Sequence, residues 1–172
     1  MPATEEISER LIRDSIIRAV GDVFSTMLDR RPELQSSADV EAGRIGEDVA
    51  EAAASRTPQI VGTVGFLGEV DGLIYLYMDL DFARSLTAAM LGNEGLSEDS
   101  VNDAIGELTN MIVGVFKNGL CDAGYSCKLT IPSILRGRNF CVETIGGARR
   151  FVYGFHCQGH RVIADILMKN DQ

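Results

Sequence analysis

An α+β fold, a mostly antiparallel sheet packed with long helices, is predicted by three observations. Two stretches carry apolar residues at helical spacing. An Asp-Gly dipeptide separates two runs rich in β-branched and aromatic residues. The last third of the chain is a succession of short strand-like segments punctuated by glycines. The order helix, hairpin, two helices and then strands favours antiparallel pairing, because strands joined by short turns lie side by side. A chain of 172 residues fits one domain spanning 1–172 and is long enough to bury a core.

The first helix covers residues 7–28, where Leu11, Ile12, Ile16, Ile17, Val20, Val23, Phe24 and Met27 form one apolar stripe. It stops before Arg31-Pro32, because the residue preceding a proline is steered out of helical space. Residues 33–57 are rich in Ser, Ala, Glu and Asp and read as loop-rich, with a weak helix around 46–54. Residues 60–70 and 73–78 flank Asp71-Gly72 and predict a hairpin. Asp79-Leu80-Asp81 supplies an N-cap candidate for a helix over 82–91, closed by Gly92. After an acidic turn at 93–99, with Ser97 to Ser100 as caps, the longest helix runs over 101–121. Its buried side is Ile105, Leu108, Ile112, Val113, Val115, Phe116 and Leu120. Strands are expected over 126–131, 139–145, 151–157 and 162–168, with turns at Gly146-Gly147 and Gln158-Gly159.

Composition excludes several function classes. Twenty-five acids against 16 bases give a net charge of −9, which argues against a nucleic-acid partner, since such binding neutralises phosphates with clustered Lys and Arg. The nearest basic group, Arg136, Arg138, Arg149 and Arg150, reads as a solvated strand-edge or hairpin face. No apolar run approaches the roughly 18–20 residues of a spanning helix, so no membrane insertion is expected. The polar, acidic first ten residues do not read as a signal peptide. Four cysteines, Cys121, Cys127, Cys141 and Cys157, lack CxxC spacing and suit reduced, core-packed thiols and a cytoplasmic location.

Most candidate chemistry is weak. His156, Cys157 and His160 raise a metal-site or small-ligand reading. They lie at a strand end across a turn, however, and lack the second ligand pair of a four-ligand zinc site, so structural or surface histidines are the expectation and no metal is assigned. The glycines Gly62, Gly65 and Gly68 have no phosphate-cradling context.

The long helix differs. Glu107 and Asn110 are three apart and Asp103 is four before Glu107, so the three share one helical face. Asn is a poor helix former, because its amide competes for backbone hydrogen bonds. Gly106 and Gly114 each cost about 1 kcal/mol relative to Ala in a helix. Together they suggest a polar line that another backbone approaches closely. Spacing alone favours an ordinary solvated helix face whose glycines fit against the sheet.

The run Asp103, Glu107, Asn110 and Gly114, with Gly119 or Gly124 beyond it and Ile131-Pro132-Ser133 following, resembles the CheC/CheX/FliY family of chemotaxis phosphatases. That family carries an acid or Ser, then ExxN on a long helix, then a Pro about twenty residues later; here Pro132 follows Asn110 at that distance and Gly137 closes the segment IPSILRG. CheC-type members carry two such helices. The first helix here has no ExxN, so the chain resembles the single-motif CheX type, which implies a homodimer. The resemblance implies a phosphatase for the aspartyl phosphate of a CheY-like response regulator, in chemotaxis or related two-component signalling. Asn110 would orient the attacking water and Glu107 would pair with the regulator's lysine. Asp103 and Gly114 would support partner binding, and Pro132 would be architectural. The chain would need no cofactor of its own, with Mg²⁺ held by the partner. The alternative is a non-catalytic adaptor or flagellar-switch-type module of the same fold.

Overall fold

The computed structural model describes residues 7–38, 58–92, 96–138, 140 and 147–169. Helix α1 (Glu9–Leu28) starts at Ser8, whose hydroxyl accepts from the Leu11 amide, and ends at Asp29 in the left-handed region. Strand β1 (Glu33–Ala38) follows, then the hairpin β2 (Gln59–Gly68) and β3 (Gly72–Asp79). Helices α2 (Leu80–Leu91) and α3 (Glu98–Asp122) come next, and β4 (Cys127–Leu129), β5 (Ser133–Gly137), β6 (Arg149–Cys157) and β7 (His160–Met168) complete the order. The predicted α+β architecture is the observed one.

The seven strands form one sheet in the order β1-β6-β7-β3-β2-β4, with β5 also on β2, and every pairing is antiparallel. Strands β4 and β5 flank different halves of β2: Phe66–Gly68 pairs with β4 and Gln59–Thr63 with β5. The chain leaves the ladder between them at residues 130–132. There the Thr130 amide donates to the Gly65 carbonyl and the Gly65 amide donates to the Thr130 hydroxyl, while Pro132 has no N–H to donate. At the β6–β7 turn, Gln158 (φ 51°) and Gly159 (φ 80°) both take the left-handed conformation, which matches the twist of a two-residue hairpin.

The helices cover one sheet face. The core there joins Ile12, Ile16, Val20 and Phe24 of α1, Phe82 and Leu86 of α2, and Ile105, Leu108, Ile112 and Phe116 of α3 to Ile60, Val64, Phe66, Ile74 and Leu76. The two long helices touch directly, with Gly119 of α3 receiving Ser15 of α1. On the opposite face Val61, Tyr77, Val152 and Ile163 are buried as a smaller cluster, with Phe140 packed against it.

Several expectations need correction. Residues 33–38 are strand, not loop: this edge strand pairs with β6 through its backbone, with a register shift between Leu34 and Ser36, so it needs no apolar alternation to form. The weak helix expected over 46–54 lies outside the described residues, as does nearly all of the strand expected over 139–145. A strand instead occupies Ser133–Gly137. Asp79 precedes α2 but gives no side-chain cap, because its carboxylate accepts from Gln59 Nε2 on the facing strand. Asp71-Gly72 does not form a two-residue turn: the last pair is Phe66 with Gly72, and Asp71 accepts from the Gly68 amide across a longer loop.

The Arg150 reading also changes. Its guanidinium is buried against Asp165, with Nε to Oδ1 at 2.9 Å and Nη2 to Oδ2 at 2.5 Å. The two are diagonal neighbours on β6 and β7, on the face away from the helices. Burial pushes the Asp165 carboxyl upward while the Arg150 bonds and charge oppose that shift. Arg149 lies with its guanidinium 4.9 Å from the Phe151 ring centre and donates to the Ile7 carbonyl at 2.8 Å.

Candidate functional site

Helix α3 carries the candidate residues Asp103, Glu107, Asn110 and Gly114. It begins one turn earlier than the apolar spacing indicates, because Ser97 caps it by accepting from the Ser100 amide and Glu98 and Asp99 favour its positive end. Arg136 on β5 clamps that first turn to the sheet. It donates from Nε to Asn102 Oδ1 at 2.7 Å and from Nη2 to the Glu98 carbonyl at 3.0 Å, and its Nη1 lies 3.3 Å from Glu98 Oε1.

The helix is seated by Thr109, which is fully buried and donates to the Ile105 carbonyl at 2.7 Å. A Cβ on Gly62 of β2 would stand 1.9 Å from Thr109 Oγ1, so only glycine lets the helix lie this close. With Thr109 facing the sheet, the opposite side of α3 faces outward. At about 100° per residue, Asp103, Glu107, Asn110 and Gly114 fall within roughly 60° of arc. Asp103 and Glu107 are exposed and Asn110 is half-buried. Among the described residues none of these three side chains has a hydrogen-bond or ion-pair partner. Two acids, Asp103 and Glu107, therefore share this outward face with one carboxamide that is free to bond outward.

The two glycines have different surroundings. Gly106 is buried, and a Cβ there would sit 3.9 Å from Pro132 Cβ and 4.0 Å from Ile134 Cδ1, an ordinary packing distance. Pro132 thus rests against this helix. Gly114 is half-buried near Leu129 Cδ1 and borders a shallow groove of about 470 Å³ between α1 and α3 lined also by Val23, Met111 and Lys117. Space inside the chain would admit alanine at either position.

The histidine constellation has other contacts. His160 stacks on Phe82 with ring centres 4.4 Å apart, and Cys157 is buried with its thiol pushed up by burial. Among the described residues no group of three or more His, Cys, Asp or Glu side chains is placed to hold a metal. No helix among them is long and apolar enough to cross a membrane. Sequence reading missed the Thr109–Gly62 seat and the Arg136 clamp. The one signal for either was a glycine inside a strand, which often marks a close approach.

A family model, the chemotaxis phosphatase CheX, matches residues 60–156, a span that holds Asp103, Glu107, Asn110, Gly114 and Pro132. No curated protein matches the chain. Among solved structures, the chemotaxis protein CheX from Desulfovibrio desulfuricans superposes with a TM-score of 0.74 at 20% identity, covering 92% of this chain and 99% of that one. A CheC-like superfamily protein from Shewanella sp. PV-4 gives 0.76 at 18% identity, with 95% and 100% covered. CheX of Borrelia burgdorferi, solved in complex with CheY, BeF₃ and Mg²⁺, gives 0.69 at 17% identity, with 92% and 98% covered. At these identities the superpositions show the shared fold, while the family match extends over more than half of the sequence, and the chain belongs to the CheX family of chemotaxis phosphatases.

Proposed function

We propose that this protein accelerates hydrolysis of the aspartyl phosphate on a CheY-like response regulator, and that Asn110 and Glu107 carry the work. The observation that carries the reading is the Asp103, Glu107 and Asn110 line on an outward face of α3 whose side chains have no partner among the described residues. Supporting it is the solved complex of a Borrelia burgdorferi CheX with CheY.

An aspartyl phosphate is an activated acyl phosphate, so the barrier falls mainly when water is held in line with the phosphorus. The Asn110 carboxamide oxygen accepts a hydrogen bond from that water while its NH₂ donates elsewhere. Water adds to phosphorus, the bond from phosphorus to the carboxylate oxygen breaks, and the regulator's aspartate and inorganic phosphate leave. An amide has no useful basicity, so Asn110 orients water and is not a general base. The Glu107 carboxylate meets the regulator's lysine as a charge-assisted contact that sets the register. Asp103 adds negative charge one turn away. Mg²⁺ held by the regulator would neutralise phosphate charge. The protein is proposed to work as a cytoplasmic homodimer, in line with its single motif. Light scattering that returned the mass of one chain would remove the dimer.

The test is to mix the protein with a panel of phosphorylated CheY-like regulators and follow phosphate loss. Asn110→Ala should lower the accelerated rate roughly 100-fold while binding persists. Glu107→Ala should mainly weaken complex formation. An Asn110→Ala rate equal to wild type would refute the mechanism. Binding without any acceleration would instead favour the adaptor reading.

A further inference from the structure

The connection between β4 and β5 carries an exposed apolar side chain beside the site. Ile131 is 87% exposed, far more than the other large exposed hydrophobics, Leu67, Leu91, Leu135 and Met27. It is not on a loose loop. On one side Thr130 is tied to Gly65, whose amide donates to Thr130 Oγ1 at 2.9 Å and whose carbonyl accepts from the Thr130 amide at 2.8 Å. On the other side Pro132 packs on Gly106. The segment therefore holds Ile131 outward against the cost of hydrating its side chain.

Its position along α3 follows from the contacts of its neighbours. Leu129 lies at Gly114, while Pro132 and Ile134 lie at Gly106. The segment thus runs antiparallel to the helix across a span of about 12 Å, with Asn110 at the midpoint. Residues 130 and 131 fall level with Asn110.

Taking the proposed phosphatase reading as its basis, we infer that Ile131 is an apolar anchor for the phosphorylated regulator, seated in a non-polar patch beside the phosphate-bearing pocket. A partner close enough to place its acyl phosphate at Asn110 must lie over the neighbouring β4–β5 connection as well. The two contacts are complementary: α3 offers acids and an amide, whereas the connection offers a rigid aliphatic group that loses little conformational freedom on binding. Removal of such a contact affects the ground-state complex and the transition state alike, so it raises KM and leaves kcat in place.

The experiment uses the full-length protein and whichever CheY-like regulator, charged with acetyl phosphate, it dephosphorylates fastest. Ile131→Ala should raise KM roughly tenfold or more. Its kcat should stay close to wild type and its melting temperature should not change, since the side chain is already in water. Ile131→Asp should raise KM further, and Ile131→Leu should restore most of the affinity. Wild-type KM in both Ile131→Ala and Ile131→Asp, alongside normal acceleration, would overturn the anchor and leave the phosphatase reading standing. Absence of acceleration by the wild type with every regulator would overturn both. The two failures are therefore distinguishable.

Discussion

Replacing Gly62 by alanine tests whether the site helix is seated by one contact. An added Cβ would lie 1.9 Å from Thr109 Oγ1, 2.9 Å from its Cβ and 3.2 Å from its Cγ2. Thr109 is fully buried and bonded to the Ile105 carbonyl, so it has little room to swing aside. The helix must lift from β2, and overpacking of this kind costs about 1–3 kcal/mol. For a chain of this size that is a fall in Tm of roughly 3–10 °C. Thr109→Ala alone loses a methyl and a hydroxyl bond, about 1 kcal/mol. In the double variant the contacts to the oxygen at 1.9 Å and the methyl at 3.2 Å are gone and only the one to Cβ at 2.9 Å remains, so the pair should be less destabilised than the sum by about 1–2 kcal/mol. Urea unfolding of the four proteins measures that coupling. Additive losses, or a Gly62→Ala protein within about 0.5 kcal/mol of wild type, would refute the seat.

Two further outcomes are expected. Arg150→Ala strands the buried Asp165 carboxylate and should cost about 3–5 kcal/mol, whereas Arg150→Met with Asp165→Leu should cost much less; equal losses in denaturant melts would count against the pair's isolation from water. Tyr153 gives a pH signature: burial, with the negative charge of Glu9 next and Arg13 opposing, pushes its phenol from 10.0 up to about 12. The fold holds the neutral phenol, so its contribution is complete below pH 10 and is lost as pH rises from 10 to about 12. Tyr153→Phe should therefore hold up better than wild type over that window in unfolding curves, and parallel curves would contradict the assignment.

Much of the fold was legible because its signals are local. Ser97 caps α3, Gly92 closes α2, and Gln158-Gly159 makes a two-residue turn, each through bonds within a few residues. What failed was non-local. Strand β1 has a polar sequence because it is an edge held by the backbone of β6, and nothing within Glu33–Ala38 records its partner. Asp79 has the right residue type for a cap, but Gln59, distant in sequence and opposite in register, takes its carboxylate. Arg150 looked like one more surface base until β7 brought Asp165 beside it.

The candidate site divides the same way. Helical periodicity by itself determined that Asp103, Glu107, Asn110 and Gly114 share a face, since the angle between residues is a property of the helix alone. It left open whether that face met the sheet, solvent or another helix. Thr109 against Gly62 decided it, turning the carboxylates and the amide outward. The β4–β5 connection, tied at Gly65 and resting on Gly106, then placed Pro132 and the exposed Ile131 alongside Asn110. That neighbourhood joins three stretches far apart in the chain, and only closure of the sheet around β2 brings them within reach.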